Sequence, residues 1–244
     1  MKKLIAKIII LSGFYLNGYS QEERKKDFGR RINDVSLKND KVDINNRFLR
    51  FDVNPVVKNY RDIKGSPYIF DTFILGKIIG INQELMLRYN AFSDEIEIQK
   101  NETENDALLK DNLFDVVLIN FEKYKLRLLN YINSKGEAVY GYLVELSNQN
   151  EVSLLRRDKI ILENEKVPKT TFEPYYPAKF TKLKSEFYIE TKDKRIIQMP
   201  KNKKELETLF PMKKEEITNH LKNSSFSLKD EKSLIEISKF IAKL

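Results

Sequence analysis

Apolar and polar residues alternate along the middle of the chain, from about residue 68 to residue 199. The alternation is clearest in residues 85–89, 96–98, 124–128 and 187–189. A period of two places every second side chain on the same face, which is typical of a β-strand with one buried face. Residues 138–146 are apolar on both faces for most of their length, which predicts a central strand of the sheet.

Short polar stretches separate the predicted strands. Residues 133–136, 147–150 and 191–194 are rich in Asn, Ser, Gly, Asp and Lys, the composition of tight turns. A link this short joins neighbouring strands in antiparallel order. The pattern therefore predicts an antiparallel β-meander over residues 61–199, as a curved sheet or a partly open barrel.

The hydrophobic period changes near Pro200, and three short helices are predicted at residues 203–210, 212–222 and 229–244. In the last of these, one apolar stripe recurs at helical spacing: Leu234, Ile237, Ile241 and Leu244. We expect residues 200–244 to pack this stripe on the sheet. The predicted fold class is α+β, a meander followed by a helical C-terminal segment.

Two helix starts can be read from local sequence. Ser227 followed by Asp230 resembles an N-cap with an acidic residue three positions later. Pro211 suits the first turn of the middle helix, where its missing N–H costs nothing.

The first twenty residues have the pattern of a secretory signal. Lys2 and Lys3 give a positive start, and residues 8–16 form an apolar run too short to cross a bilayer. Gly18 and Ser20 are small residues before a cut between Ser20 and Gln21. We therefore predict export to the periplasm or the exterior, with no integral membrane span after cleavage. Residues 21–60 form a polar lead-in, with a first extended segment at 47–57.

Composition excludes several chemistries. The chain has one His and no Cys, which excludes thiol catalysis, Cys–His pairs and multi-His zinc sites. It also carries neither glycine-rich phosphate motif, so no cofactor is predicted. The net charge is +8, but the Lys residues are interspersed with acids, and we expect no nucleic-acid partner.

The remaining candidates for catalysis are weak. His220 lies near a predicted helix end, where a His interacts with the helix dipole and with water. Asp94, Glu95 and Glu97 could serve a carboxylate hydrolase. Glu95 and Glu97 share the outward face of an alternating strand, and we expect that face to be solvated.

Tyrosine is the one enriched residue type in the β-rich region. We expect these tyrosines mainly to pack the core and the sheet, with a binding face as the alternative. The nine residues are Tyr68, Tyr89, Tyr124, Tyr131, Tyr140, Tyr142, Tyr175, Tyr176 and Tyr188.

Four short motifs stand along the chain: GSPY at residues 65–68, LRYN at 87–90, PAKF at 177–180 and LFP at 209–211. With them, the chain resembles a family of uncharacterised exported bacterial proteins that end in a Lys-rich helical segment. The resemblance covers most of residues 65–244 and implies the segment boundaries given above, but no activity.

The motifs supply the candidate binding residues Tyr68, Arg88, Tyr89 and Asn90. Arg88 and Asn90 point away from Tyr89 on an alternating strand. If their face is covered, Arg88 needs a carboxylate partner. If the face is open, Arg88 is a solvated charge, and the sequence favours this second alternative.

Three hypotheses for function follow. The first is a non-enzymatic exported protein that binds an envelope protein or a surface component, or has a structural role. The second is a periplasmic carrier of a lipid or another apolar molecule, held between the sheet and the helices. The third is a hydrolase that uses Asp94, Glu95 and Glu97.

Overall fold

The computed structural model describes residues 49–50, 60, 63–102, 104–120, 124–149, 151–223, 227–228 and 230–244. The predicted signal peptide and nearly all of the predicted lead-in lie outside these residues. One short strand, Leu49–Arg50, falls within the predicted extended segment at 47–57.

Thirteen strands are found in the described part of the chain. Their bounds are β1 Leu49–Arg50, β2 Ile74–Ile78, β3 Glu84–Asn90, β4 Glu95–Gln99, β5 Asn105–Leu108, β6 Val116–Ile119, β7 Tyr124–Ile132, β8 Ala138–Ser147, β9 Val152–Arg157, β10 Ile160–Glu163, β11 Lys179–Lys182, β12 Glu186–Thr191 and β13 Ile196–Gln198.

Eleven of these strands form one sheet, in the order β1-β5-β4-β3-β2-β6-β7-β8-β9-β12-β13. Every strand pairing in it is antiparallel, and the three predicted turns join the pairs β7–β8, β8–β9 and β12–β13. Strands β10 and β11 form a separate two-stranded ribbon. The predicted antiparallel sheet is confirmed, and β8 is an interior strand as its sequence indicates.

The registers divide the sheet into two faces, because residues paired across strands share a face. The core face carries Leu87, Ile96, Leu126 and Leu154, all of them buried. The opposite face carries Arg88, Glu97, Arg127, Glu145 and Tyr188.

The sheet curls around its core face. Tyr89 of β3 and Tyr142 of β8 meet edge to face, with ring centroids 6.2 Å apart, although three strands separate β3 from β8. The turn after β3 also reaches β8, where the Tyr142 backbone N–H donates to Asp94 Oδ1 at 3.2 Å. The sheet is therefore a half-barrel, as the curved or partly open alternative predicts.

At one end, the opposite face has an apolar cluster of its own. Tyr131, Leu143, Leu155 and Tyr188 are buried there, and Ile196 of β13 packs against them. Tyr188 thus packs within the sheet, the role expected for most of the tyrosines, and Glu190 is buried on the same face. The last strand, β13, covers this end of the sheet and also contacts β7.

Three α-helices follow the sheet: α1 Lys203–Leu209, α2 Lys214–Asn223 and α3 Glu231–Lys243. Pro211 opens the 3-10 turn Pro211–Lys213 that leads into α2, so its predicted position is confirmed. The predicted cap at Ser227 is wrong. Helix α3 starts later, and its N-cap is Asp230, whose carboxylate accepts from the Ser233 N–H.

The helices pack on the core face near β8 and β9. Leu234, Ile237 and Ile241 of α3 are fully buried against Val152 and Leu154 of β9. The predicted stripe ends at Ile241, because Leu244 is 45% exposed at the end of the chain. Two polar contacts add to this packing: Ser147 with Ser238 at 2.8 Å, and Arg156 with Glu231 at 2.7 Å.

Candidate functional site

Arg88 and Glu97 face each other directly across β3 and β4. Glu97 Oε2 accepts hydrogen bonds from Arg88 Nε at 3.2 Å and Nη2 at 2.6 Å. Only 16% of the Arg88 side chain and 10% of the Glu97 side chain are exposed. The favoured expectation of a solvated Arg88 is therefore wrong, and the covered alternative, with a carboxylate partner, is the one observed.

The segment that contains the GSPY motif provides the cover. The Arg88 guanidinium lies 3.6 Å from the ring centre of Tyr68 and 4.2 Å from that of Phe73, so two aromatic faces enclose it. Its third nitrogen, Nη1, donates to the Asp71 carbonyl at 3.2 Å. All three guanidinium nitrogens are thus used within the chain.

Glu97 accepts from further donors. Asn90 Nδ2 lies 3.2 Å from Oε1, and Asn105 Nδ2 lies 2.8 Å from Oε2. Burial raises the pKa of Tyr68, and the nearby negative charge of Glu97 raises it further. We call this group, Tyr68, Phe73, Arg88, Asn90 and Glu97, the Arg88 latch.

The latch brings together three of the four predicted binding residues, Tyr68, Arg88 and Asn90. Asn90 Oδ1 also accepts from the backbone N–H groups of Phe92 and Ser93, which shapes the turn after β3. The polar atoms of the latch are directed at one another. These contacts hold the GSPY segment over the opposite face of the sheet at β3 and β4.

Tyr89, the fourth predicted residue, lies on the core face. Its hydroxyl donates to Asp94 Oδ1 at 2.7 Å, and burial, then Asp94, raise the pKa of this tyrosine. Lys110 Nζ lies 2.7 Å from Asp94 Oδ2. A side chain at Gly141 would place its Cβ 2.5 Å from the same oxygen, so only glycine allows Asp94 to approach β8 this closely.

The three carboxylates of the hydrolase hypothesis do not converge on one face. Asp94 holds Tyr89, Lys110 and the β8 backbone, whereas Glu97 belongs to the latch on the opposite face. The expectation that Glu97 lies on a solvated face is wrong, since residues 66–73 cover it. Both carboxylates act as structural acceptors in this geometry.

His220 packs within the helical segment. Its ring stacks on that of Phe240, with centroids 3.9 Å apart and planes 12° from parallel. The contact joins α2 to α3, and it agrees with a packing role.

The ribbon β10–β11 is fixed to the body at its base. The Phe180 N–H donates to the Lys64 carbonyl at 2.8 Å, and the Lys64 N–H donates to the Ala178 carbonyl at 3.3 Å. The Phe180 ring packs edge to face with those of Tyr60 and Phe92. The PAKF motif is therefore the anchor of the ribbon.

Beyond this anchor, the loop at residues 164–178 exposes large apolar side chains. Phe172 is 99% exposed, and Val167, Tyr175 and Tyr176 are each more than half exposed. We call these four residues the aromatic tip. Its backbone is bound locally: the Lys166 and Tyr176 backbones bridge, and the Glu173 N–H donates to the Thr170 carbonyl at 3.2 Å.

Sequence reasoning assigned Tyr175 and Tyr176 mainly to packing, which is wrong for these two, and it overlooked Phe172. A signal was present. Pro168, Pro174 and Pro177 are three of the seven prolines of the chain, and they fall within ten residues around the tip. Such a cluster excludes regular strand structure and restricts the loop to few conformations.

A second surface feature is an open groove of about 560 Å³. Its lining is mixed, with apolar Ile79, Val116, Leu118 and Leu146 and polar Lys125, Glu145, Ser147 and Asn148. The side chains of Lys125 and Glu145 are paired, 2.7 Å apart.

Comparisons with known protein families, with curated proteins and with solved structures find no match. Within the described residues, no helix has both the length and the apolar character needed to cross a membrane. The same part of the chain contains no group of three or more His, Cys, Asp or Glu side chains placed to hold a metal ion.

Proposed function

We propose that this chain is an exported, non-enzymatic protein of the bacterial cell envelope that binds another polypeptide through its aromatic tip. The observation that carries the proposal is the 99% exposure of Phe172, next to two tyrosines that are more than half exposed. Contiguous exposed apolar side chains mark interaction sites in soluble proteins.

The chemistry of the tip supports binding. Aromatic residues are enriched at the centres of protein interfaces, where Tyr in particular supplies much of the binding free energy. The three prolines and the local hydrogen bonds order the loop before it meets a partner. Less conformational entropy is then lost on association than with a flexible loop.

The chemistry found elsewhere in the described chain also favours a non-enzymatic role. Asp94 and Glu97, the strongest catalytic candidates, are engaged in holding strands and turns together. The single His stacks on a phenylalanine within the helical segment.

A photoreactive amino acid placed at Phe172 in the native cells tests this proposal. We expect an ultraviolet-dependent adduct whose mass exceeds that of the chain by the mass of a polypeptide. The matched control is the same amino acid at Met212, an apolar residue that is 92% exposed outside the tip. Adducts absent at both positions, or equal at both, would contradict the proposal.

Export is tested separately. We expect the protein purified from the cell envelope to begin at Gln21, as intact-mass measurement would show. A chain that still starts at Met1 and fractionates with the cytosol would overturn the assignment to the envelope.

The carrier hypothesis requires space between the sheet and the helices. There, Val152, Leu154 and Ile189 pack directly against Leu234 and Ile237 of α3. This packing gives the carrier hypothesis no support, so we retain binding of a polypeptide as the proposal. Native mass spectrometry that finds a co-purified lipid would reverse this choice.

A further inference from the structure

We infer that the Arg88 latch positions the aromatic tip and so supports binding of the partner without contacting it. This role rests on the proposed function and adds positioning residues to the same site. The GSPY, LRYN and PAKF motifs are separate in the sequence, but the fold connects them in one chain of contacts that runs from the latch to the ribbon β10–β11.

Each strand of the ribbon is held to the body by a backbone hydrogen bond at its base. For β10, the Ile160 N–H donates to the carbonyl of Ala91, the residue directly after the LRYN motif, at 3.3 Å. For β11, the Phe180 N–H donates to the carbonyl of Lys64, the residue directly before the GSPY motif, at 2.8 Å. The two segments that form the latch therefore also carry the two strands of the ribbon.

The contact between the GSPY segment and β11 requires a glycine. Gly65 has a φ of +85°, in the left-handed region that glycine adopts readily. A Cβ at this position would lie 2.8 Å from the Phe180 carbonyl oxygen. The glycine of the motif thus allows the segment to approach the PAKF anchor this closely.

The latch holds the same GSPY segment on β3. The Ala91 N–H donates to the Pro67 carbonyl at 3.0 Å. Next to Pro67, the ring of Tyr68 lies over the Arg88 guanidinium. Without that guanidinium, Tyr68 loses the cation it packs on, and Glu97 stays buried without a charge partner. The backbone hydrogen bonds remain, so we expect the base of the ribbon to become more mobile while the sheet stays folded.

The tip lies at the far end of the ribbon from this base. From Ile160 to Lys166 the extended chain covers about 20 Å, at about 3.3 Å per residue. A rotation of about 10° at the base would therefore shift the tip by about 3–4 Å over this length. The centre of an interface is packed as closely as a protein interior, so a shift of that size separates an aromatic side chain from its pocket.

Distances between two spin labels test the inference directly. The chain has no Cys, so introduced cysteines alone are labelled. Thr171→Cys in the tip loop and Met212→Cys outside the tip report the position of the tip, measured by pulsed electron paramagnetic resonance. Arg88→Lys keeps a charge for Glu97 but lacks the planar guanidinium, so the distance distribution should become about twice as wide or more.

Arg127→Lys is the matched control. The Arg127 side chain is 17% exposed, against 16% for Arg88, and it pairs with Glu190 on the same face of the sheet. It takes no part in the hydrogen bonds at the base of the ribbon described above. We expect this variant to lose a similar amount of stability and to keep a narrow distribution.

A second variant tests the latch more gently. Tyr68→Leu keeps the ion pair of Arg88 with Glu97 and removes one of the two enclosing rings. It should widen the distribution in the same direction as Arg88→Lys, by a smaller amount. Circular dichroism checks that every variant is folded.

Binding is measured with the photoreactive amino acid at Phe172 in the native cells. At equal protein levels, Arg88→Lys should lower the yield of the polypeptide adduct about fivefold or more, since a mobile tip loses more entropy on association. Arg127→Lys should leave the yield unchanged.

Three outcomes would overturn the inference: an unchanged distribution in Arg88→Lys, equal widening in Arg127→Lys, or a widened distribution with an undiminished adduct. If the wild type gives no polypeptide adduct, the proposed function fails. The label distances then still decide whether the latch positions the tip.

Discussion

Arg88 is charged in a nearly buried setting because each of its three guanidinium nitrogens meets an acceptor close by. Two of them are directed at Glu97 and one at the Asp71 carbonyl. The rings of Tyr68 and Phe73 complete the surroundings. Removing only one partner of such an ion pair strongly destabilises the fold, since the remaining charge stays buried.

Arg88→Ala should therefore lower the free energy of unfolding by about 3–5 kcal/mol, because Glu97 loses its cation. Urea denaturation measures the change. The control is Lys179→Ala, which removes the exposed ion pair with Glu163 and should leave the midpoint nearly unchanged. Equal shifts for the two variants would show that the latch does not contribute as described.

The latch could be predicted only in part from the sequence. Strand alternation places Arg88 and Asn90 on one face, and the need of a covered Arg for a carboxylate follows from elementary electrostatics. Whether that face is covered depends on the path of residues 66–73. That path is a tertiary property, and no local pattern encodes it.

At the scale of elements, a row of charges crosses the opposite face of the sheet. Arg127 of β7 donates from Nη2 to Glu190 Oε1 at 3.0 Å, although β8 and β9 lie between their strands. Arg127 also lies 3.3 Å from Glu145, which pairs with Lys125. Because β12 and β13 bend towards the opposite face at this end of the sheet, side chains there can meet across strands that are not neighbours.

Acid should weaken the contact between Arg127 and Glu190. Burial opposes ionisation of Glu190, but Arg127 outweighs burial and holds the pKa of this carboxyl below its ordinary value. Such a group stabilises the fold above the unfolded-state pKa of about 4.3, and this contribution is lost as the pH falls through the lower folded-state value.

As the pH falls below about 4.3, Glu190→Gln should consequently lose less stability than the wild type, because no carboxylate remains at this position to be protonated. Denaturation midpoints measured across this range give the slope. Glu84→Gln, at an exposed position on β3, serves as the control and should keep the wild-type slope. A Glu190→Gln slope equal to that of the wild type would contradict the interpretation.

Most elements could be predicted because their periods are strong. The strands at residues 85–89, 96–98 and 124–128 follow the period of two, and α3 follows its apolar stripe. The loop between β10 and β11 was harder to predict, since its Tyr175 and Tyr176 have high strand propensity but lie among prolines. The predicted start of α3 is too early because Ser227 and Asp230 both suit an N-cap, and only the folded turn selects Asp230.

For the whole molecule, the helical segment and the sheet share one apolar cluster, and Arg156 adds an ion pair to Glu231. We therefore expect them to unfold in a single transition, so the helix signal in far-ultraviolet circular dichroism and the tyrosine signal in the near ultraviolet should share a midpoint. Ile237→Ala should lower the free energy of unfolding by about 2–5 kcal/mol, and by the same amount in both signals. A shift confined to the helix signal would indicate two independent units.

Tyrosines buried in the curled sheet determine how the protein responds to alkali. Burial is the largest cause that raises the pKa of each of Tyr89, Tyr124, Tyr131, Tyr142 and Tyr188. In the unfolded chain these phenols ionise near pH 10, whereas the folded chain keeps their protons. Their contribution to stability is complete below pH 10 and is lost as the pH rises above it.

Each of these phenols can remove up to about 1.4 kcal/mol per pH unit above pH 10. Five acting together make alkaline unfolding abrupt, so the ultraviolet absorbance of tyrosinate should rise in one cooperative step with the loss of circular dichroism. Tyr188→Phe should make this step less steep, and Tyr176→Phe, at an exposed residue of the tip, should not. The burial of these tyrosines thus sets a sharp upper pH limit for the folded state.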